Sequence, residues 1–415
     1  MPATTDKANP EELADNIQVL TIRADANTKH SSDLFPKLIT NDLLFRIIFD
    51  YCSPGSLLRC ARLSRDAYAA VKWYMARTFD INKLLSRFFD DPVAFRSMQA
   101  KTATLISGST ALQFFDRSFY PDSDLDLYVW MKHRIDVGKW LMSAGYVFQP
   151  NSSQDPKFNK AIMDDRVTTA EGLGLYSGMV GVAGVFTFVK PTQEGKVPLK
   201  VQMIVAVHAP MEIILYFHST VVMNVISYEK AYSLYPWATF EEKRAIVCRS
   251  WGIKQEEGIA KYRSRGWEML WYVRARELQS TAARNYPTHP SFLFGNRWIT
   301  DRHVWSIPLD LTGVELPKAR SELSTPMSHD PVDATSWKLT YPIEAEFNVK
   351  PGAATELEVL SSKYLYHRYV SRDGNLLAAL ELHASRDHRN EGKYYDEEWM
   401  KYIAEARSNI GRLFQ

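Results

Sequence analysis

TATLISGSTALQFFDRSFYPDSDLDLYVW, residues 102 to 130, decides how this chain folds. An apolar run ends in Gly108-Ser109. A stretch with Leu112, Phe115 and Phe119 at helical spacing follows, and a second apolar run carries Asp124 and Asp126. Side chains two apart on a strand point the same way, so the two carboxylates face one point in space. Ionised carboxylates held side by side repel, and a divalent cation is their usual stabiliser. A helix that opens at Gly108-Ser109 offers backbone N–H groups to a phosphate. A phosphate cradle beside metal-binding carboxylates is the equipment of phosphoryl transfer.

Gly108-Ser109 with Asp124-x-Asp126 resembles the signature of the DNA polymerase beta-like nucleotidyltransferase superfamily. The resemblance rests on roughly 30 residues. It implies a mixed sheet with helices, a nucleoside triphosphate held at Gly108 and Ser109, and Mg²⁺ or Mn²⁺ held by catalytic Asp124 and Asp126. It also implies a third acidic residue on a later strand. The wider chain resembles a group of fungal proteins with an F-box-like helical start before this fold. The segment VPLKVQMIVAVHAPMEIILYFHSTVVMNVISYEKAYSLYP, residues 197 to 236, carries much of that second likeness.

The third acid is missing. Residues 197 to 207 read as the next strand, with Lys200, Gln202 and Ile204 on one face and Val201, Met203 and Val205 on the other. Gln202 is the polar residue nearest the third position. An amide oxygen can coordinate a hard cation, but it brings no charge and is no base at neutral pH. Full two-metal catalysis would need another carboxylate, such as Glu212, to reach the site.

Composition limits the alternatives. The 415 residues suit two or three domains, and 46% hydrophobic with 13% aromatic residues supply large cores. Fifty basic residues against 48 acidic give a net charge of +2, which does not mark a nucleic-acid binder. Three cysteines make no disulfide or zinc framework. No signal-like or membrane-spanning run is evident, so a cytoplasmic or nuclear protein is expected.

Residues 1–33 read as a disordered tail and 34–100 as an F-box-like helical region. In the latter, Thr40 or Asn41 caps a helix whose apolar stripe is Leu43, Leu44, Ile47 and Ile48, Ser56 caps a second, and Asp66 to Thr78 is a third. Residues 101–280 read as the nucleotidyltransferase-like domain with following helices. Those helices are expected over 210–232 and 239–277, and the second interleaves Lys261, Arg263, Arg265 and other cations with Tyr262, Trp267 and Trp271. Cations among aromatics can grip phosphates and stack on bases; the same pattern suits an ordinary amphipathic pair whose aromatics fill a core and whose charges face water. Five glycines in 172–187 read as a β-ribbon beside the aspartate strand rather than a phosphate loop. Residues 281–415 read as a β-rich extension closed by a helix from about Asp396. His208 and His218 read as core histidines.

The expected protein is α+β. Its leading expected function is metal-dependent transfer of a nucleotidyl group to an unknown RNA or protein acceptor, weakened by Gln202. The alternative is a non-catalytic binding protein on the same fold, or an F-box-type adaptor with a ubiquitin-ligase partner.

Overall fold

Asn41 opens the first long helix because its side chain accepts the N–H groups of Leu43 and Leu44. Ser53, not Ser56, caps the next, accepting from the Ser56 N–H with Pro54 in the first helical position. These are α2 (Asp42–Tyr51) and α3 (Pro54–Cys60), flanked by α1 (Leu34–Thr40) and α4 (Arg65–Thr78). The inward face of α2 is Phe45 and Phe49, one turn apart. Phe45 meets Trp73 edge-on, Phe49 meets Tyr74, and the Tyr74 hydroxyl donates to Asp50 at 2.8 Å. The aliphatic stripe therefore faces out: Leu43 is 66% exposed and Ile47 58%. Aromatic partners on α4 select the two phenylalanines and turn the aliphatic residues away from them.

This is a computed structural model. It describes residues 34–164, 175–176, 179–191, 197–248, 252–273, 291–293, 295–316, 330–340, 353–387 and 393–413. The expected tail, 1–33, lies outside them. The chain divides into Met1–Tyr74 and Met75–Gln415, so residues 81–102 belong with the second unit rather than with the helices before them.

In the second unit, α5 (Ile81–Leu85) and α6 (Pro92–Thr102) lead into β1 (Leu105–Ser107), α7 (Gly108–Asp116) and β2 (Leu125–Trp130). Next come α8 (Arg134–Ser143), β3 (Val147–Gln149), α9 (Phe158–Ala161), β4 (Leu175–Tyr176), β5 (Met179–Val180), β6 (Val182–Lys190) and β7 (Leu199–Ala206). Then follow α10 (Pro210–Leu215), β8 (Asn224–Ile226), β9 (Lys230–Ser233), β10 (Arg244–Ile246), α11 (Ile253–Ser264) and β11 (Glu268–Leu270). The rest includes β12 (Asn296–Trp298), β13 (Trp305–Pro308), β14 (Ser336–Thr340), β15 (Ala354–Glu356), α12 (Gly374–Arg386) and α13 (Asp396–Leu413).

Eight strands form one mixed sheet in the order β13-β9-β8-β1-β2-β7-β6-β3. Its β2–β7 pair is parallel; the others are antiparallel. The sheet is buried on both faces. Leu125, Leu127 and Val129 of β2 pack with Leu112 and Phe115 of α7. Tyr128 and Trp130, on the other face, pack with Ile204 and Ala206 of β7 and with Trp337 of β14. Phe119 lies beyond the end of α7 and is 68% exposed.

Several expectations change. Helix over 210–232 stops at Leu215, and the following apolar runs become the β8–β9 hairpin. Among the described residues of 239–277, only Ile253–Ser264 is α-helix, and β10 and β11 flank it as a parallel pair. Short buried apolar runs look alike as strand and as helix, so periodicity could not separate them. The ribbon strand β6 lies beside β7, which itself takes the place next to the aspartate strand. The C-terminal residues are not a separate layer throughout: β13 completes one edge of the main sheet. The Arg96 guanidinium of α6 ties that edge down through the carbonyls of Asp310 and Tyr228. Beyond it, α12 and α13 build their own small core around Leu380, Tyr395 and Trp399.

Candidate functional site

β2 brings its carboxylates between the two elements that matter. Asp126 stands opposite Ser107 of β1 on one side and Gln202 of β7 on the other. One position earlier, Leu125 pairs Val201, which leaves Asp124 alongside Lys200. The structure thus joins Gly108, Ser109, Asp124, Asp126 and Gln202 in one place.

Gly108 is required there. Its φ is +70°, and a Cβ added to it would lie 2.5 Å from Asp126 Oδ2. No side chain caps α7, because the Ser107 hydroxyl donates to the Asn224 carbonyl instead. The Thr110 hydroxyl donates to the Asp124 carbonyl at 2.7 Å and fixes the backbone before the strand. Gln113 holds the intervening loop, accepting from the Tyr120 N–H and donating to Ser123 Oγ. The Arg87 guanidinium binds the same loop at the carbonyls of Tyr120, Pro121 and Ser123.

The charges are unlike those expected. Asp124 Oδ2 accepts the Lys200 ammonium at 2.8 Å and the Gln202 amide N–H at 3.0 Å. Asp126 is pushed up to about 7, by burial first and by Asp124 second, with Lys261 and Lys200 pulling the other way. Lys261 is lowered by burial and by Arg265, and raised by Asp126 and Asp124. Arg265, one turn further along, lays its guanidinium over the Tyr120 ring at 3.6 Å, and its Nη1 is buried with no hydrogen-bond partner. Two carboxylates therefore face two cations, Lys200 and Lys261, and beside Lys261 the Arg265 guanidinium keeps one buried nitrogen without an acceptor.

The donor set does not fit the paired divalent cations that the resemblance implies. Asp124 Oδ2 is already bound by two donors from β7. The third position turns its NH₂ toward Asp124 and adds no charge. Glu212 does not repair this. Gln202 and Ala206 are four residues apart on β7, about 13 Å in a strand. Glu212 lies beyond Ala206 on α10, with its carboxylate 3.0 Å from His208 Nδ1. His218 is held down to about 4 by burial and by Lys261, with Nδ1 2.8 Å from Ser219 Oγ. It is thus a neutral, partnered histidine.

The sequence singled out Gly108, Ser109, Asp124, Asp126 and Gln202. It missed the role of Lys200, although alternation had put that lysine on the face of Gln202. Arg265 and Lys261 stood in the basic, aromatic run, but without the fold nothing distinguished them from the other cations there. Among the described residues, no helix is long and apolar enough to cross a membrane. No protein-family model, curated protein or solved structure matches this chain.

Proposed function

We propose that this protein binds a nucleoside triphosphate at the Gly108-Ser109 end of α7, on a nucleotidyltransferase-like sheet, as a binding protein rather than a two-metal transferase. The observation that carries this reading is Arg265 Nη1, buried and unpaired beside Lys261, while Lys200 and Lys261 already offset Asp124 and Asp126. A buried donor without a partner is costly, and a phosphate oxygen supplies the strongest kind of acceptor for a guanidinium. The open start of α7 adds backbone N–H groups and the positive end of its dipole. The Tyr120 ring, stacked beneath it, holds the guanidinium in place. Calorimetric titration with each nucleoside triphosphate tests the reading. Saturable binding that weakens at least tenfold in Arg265→Ala is expected. No binding of any triphosphate would overturn it.

Transfer to an RNA or protein acceptor is the second reading, and Asp126 favours it. The carboxylate is kept where burial and a like charge both oppose its ionisation, as happens at catalytic positions. Labelled triphosphate, Mg²⁺ or Mn²⁺ and total RNA, with Asp126→Ala as control, decide between the two. Transfer that disappears in the control would favour the enzyme.

The helices of residues 34–74 support an adaptor role beside nucleotide binding. Leu43, Ile47 and Tyr51 lie on one side of α2 and are 66%, 58% and 76% exposed. An apolar stripe of this kind marks a protein-binding face. The F-box resemblance names a ubiquitin-ligase adaptor as its partner. Leu43→Asp with Ile47→Asp should leave the melting temperature within a few degrees, because neither side chain is buried, and should abolish adaptor capture in a pull-down with the purified adaptor. Unchanged capture would remove this role.

A further inference from the structure

Lys200 does not sit near Asp124 by a choice of rotamer alone. The parallel register of β2 and β7 sets Leu125 against Val201 and Asp126 against Gln202. Period-two alternation then puts Lys200 and Gln202 on the face that carries Asp124 and Asp126. Both β7 side chains donate to the same oxygen, Asp124 Oδ2, at 2.8 and 3.0 Å. The ammonium is tethered to that strand. A divalent ion on Asp124 would have to displace it while remaining within the lysine's reach, so the two cations would repel. Lys261, on α11, adds a further positive charge within electrostatic range of both carboxylates.

We propose that Lys200 is the resident counter-cation of this site, filling the role of a divalent metal at Asp124, so that the protein binds phosphates without a metal ion. The nucleotide half of this inference rests on the function proposed above; the exclusion of metal by Lys200 does not. Lys200 neutralises Asp124, Lys261 offsets Asp126, and Arg265 is left for the ligand. The ligand class follows from the charge: a free polyphosphate anion, not its magnesium complex.

Two measurements keep the halves apart. The first is titration of the full chain with Mn²⁺ alone, read by the electron paramagnetic resonance of the free ion. Wild type and Lys200→Arg should take up no Mn²⁺ below millimolar concentration. Lys200→Ala should gain at least tenfold in affinity, and adding Asp124→Asn should remove the gain. Micromolar Mn²⁺ on wild type that is lost with Asp124→Asn would overturn the inference, as would a folded Lys200→Ala with no gain. Lys200 is 40% exposed at its side chain, and a melt of each variant shows that it is folded. The second is calorimetry with ATP in EDTA and in Mg²⁺. Wild-type affinity should agree within about threefold between the two. Lys200→Ala should bind at least tenfold more weakly in EDTA and recover with Mn²⁺. Wild-type binding that requires Mg²⁺ would overturn the inference. Absence of ATP binding in both buffers, with the Mn²⁺ results as expected, would sink the nucleotide reading and leave metal exclusion standing.

Discussion

Asp126→Asn should make the protein more stable at pH 8, by about 2–3 kcal/mol, while leaving it nearly unchanged at pH 4. The native Asp126 carboxyl titrates at about 7, well above an ordinary aspartate. Between pH 4 and 7 the native state therefore keeps a proton that the unfolded chain has released. Stability falls as pH rises through that window and levels off above it. One unit of displacement corresponds to about 1.4 kcal/mol, and the full displacement to roughly 4. Asp126 is partly open to water, which screens part of that figure. Asparagine matches the neutral acid in shape and has nothing to lose on raising the pH. Urea unfolding at pH 4, 6 and 8 measures the difference. Asp330, buried and also pushed up to about 7, gives the variant a residual slope of the same sign. Parallel curves for wild type and variant would mean that Asp126 ionises freely. A residue that weakens the fold at neutral pH, and is nevertheless present, fits a role in binding or chemistry rather than in stability.

Gly108→Ala should cost about 2–4 kcal/mol and reduce triphosphate binding by more than tenfold. Two separable effects act. A side chain at φ +70° carries roughly 1–2 kcal/mol of left-handed strain. The new methyl would also stand 2.5 Å from Asp126 Oδ2, and such overpacking costs about 1–3 kcal/mol. Adding Asp126→Ala removes the clash but not the strain. The double variant should therefore recover part of the loss relative to Asp126→Ala alone, a coupling of about 1–2 kcal/mol in a double-mutant cycle. Strict additivity would show that Gly108 is needed for its backbone only. Binding is read by calorimetry beside the same melts.

The site's frame was legible because it is local. Gly108-Ser109 and the aspartate pair lie within one strand–helix–strand run, and alternation alone aligned Asp124 with Asp126. The third position was legible for the same reason, since Gln202 falls on the face that alternation assigns it. What decides the site's charge was not legible. Lys200 acts on Asp124 through the register of two strands far apart in sequence, and register belongs to the sheet rather than to either strand. Arg265 became distinct only when Tyr120 arrived beneath it from another part of the chain. At α2 the spacing alone could not say which apolar set faces the core. Leu43 and Ile47 have the right spacing for a core, but Phe45 and Phe49 had the better partners in Trp73 and Tyr74. The helix expected over 210–232 failed because a hairpin of short buried strands carries the same apolar density.

The parallel pairing of β2 with β7 also dictates when this site can exist. Parallel neighbours cannot be joined by a tight turn, and Gln202 meets Asp124 across 78 positions of chain. Closing so long a loop adds only modestly to the equilibrium cost but slows the search. On the ribosome, β1, α7 and β2 emerge first and can assemble as a local unit, with two uncompensated carboxylates on an open strand edge. Their lysine arrives only after β3 and β6 have been made and β7 has been released. Charge repulsion and an unpaired edge would then mark the nascent intermediate until β7 inserts, so docking of that strand covers the β2 edge and brings Lys200 onto Asp124 in a single event, while β8, β9, β13 and Lys261 are added later.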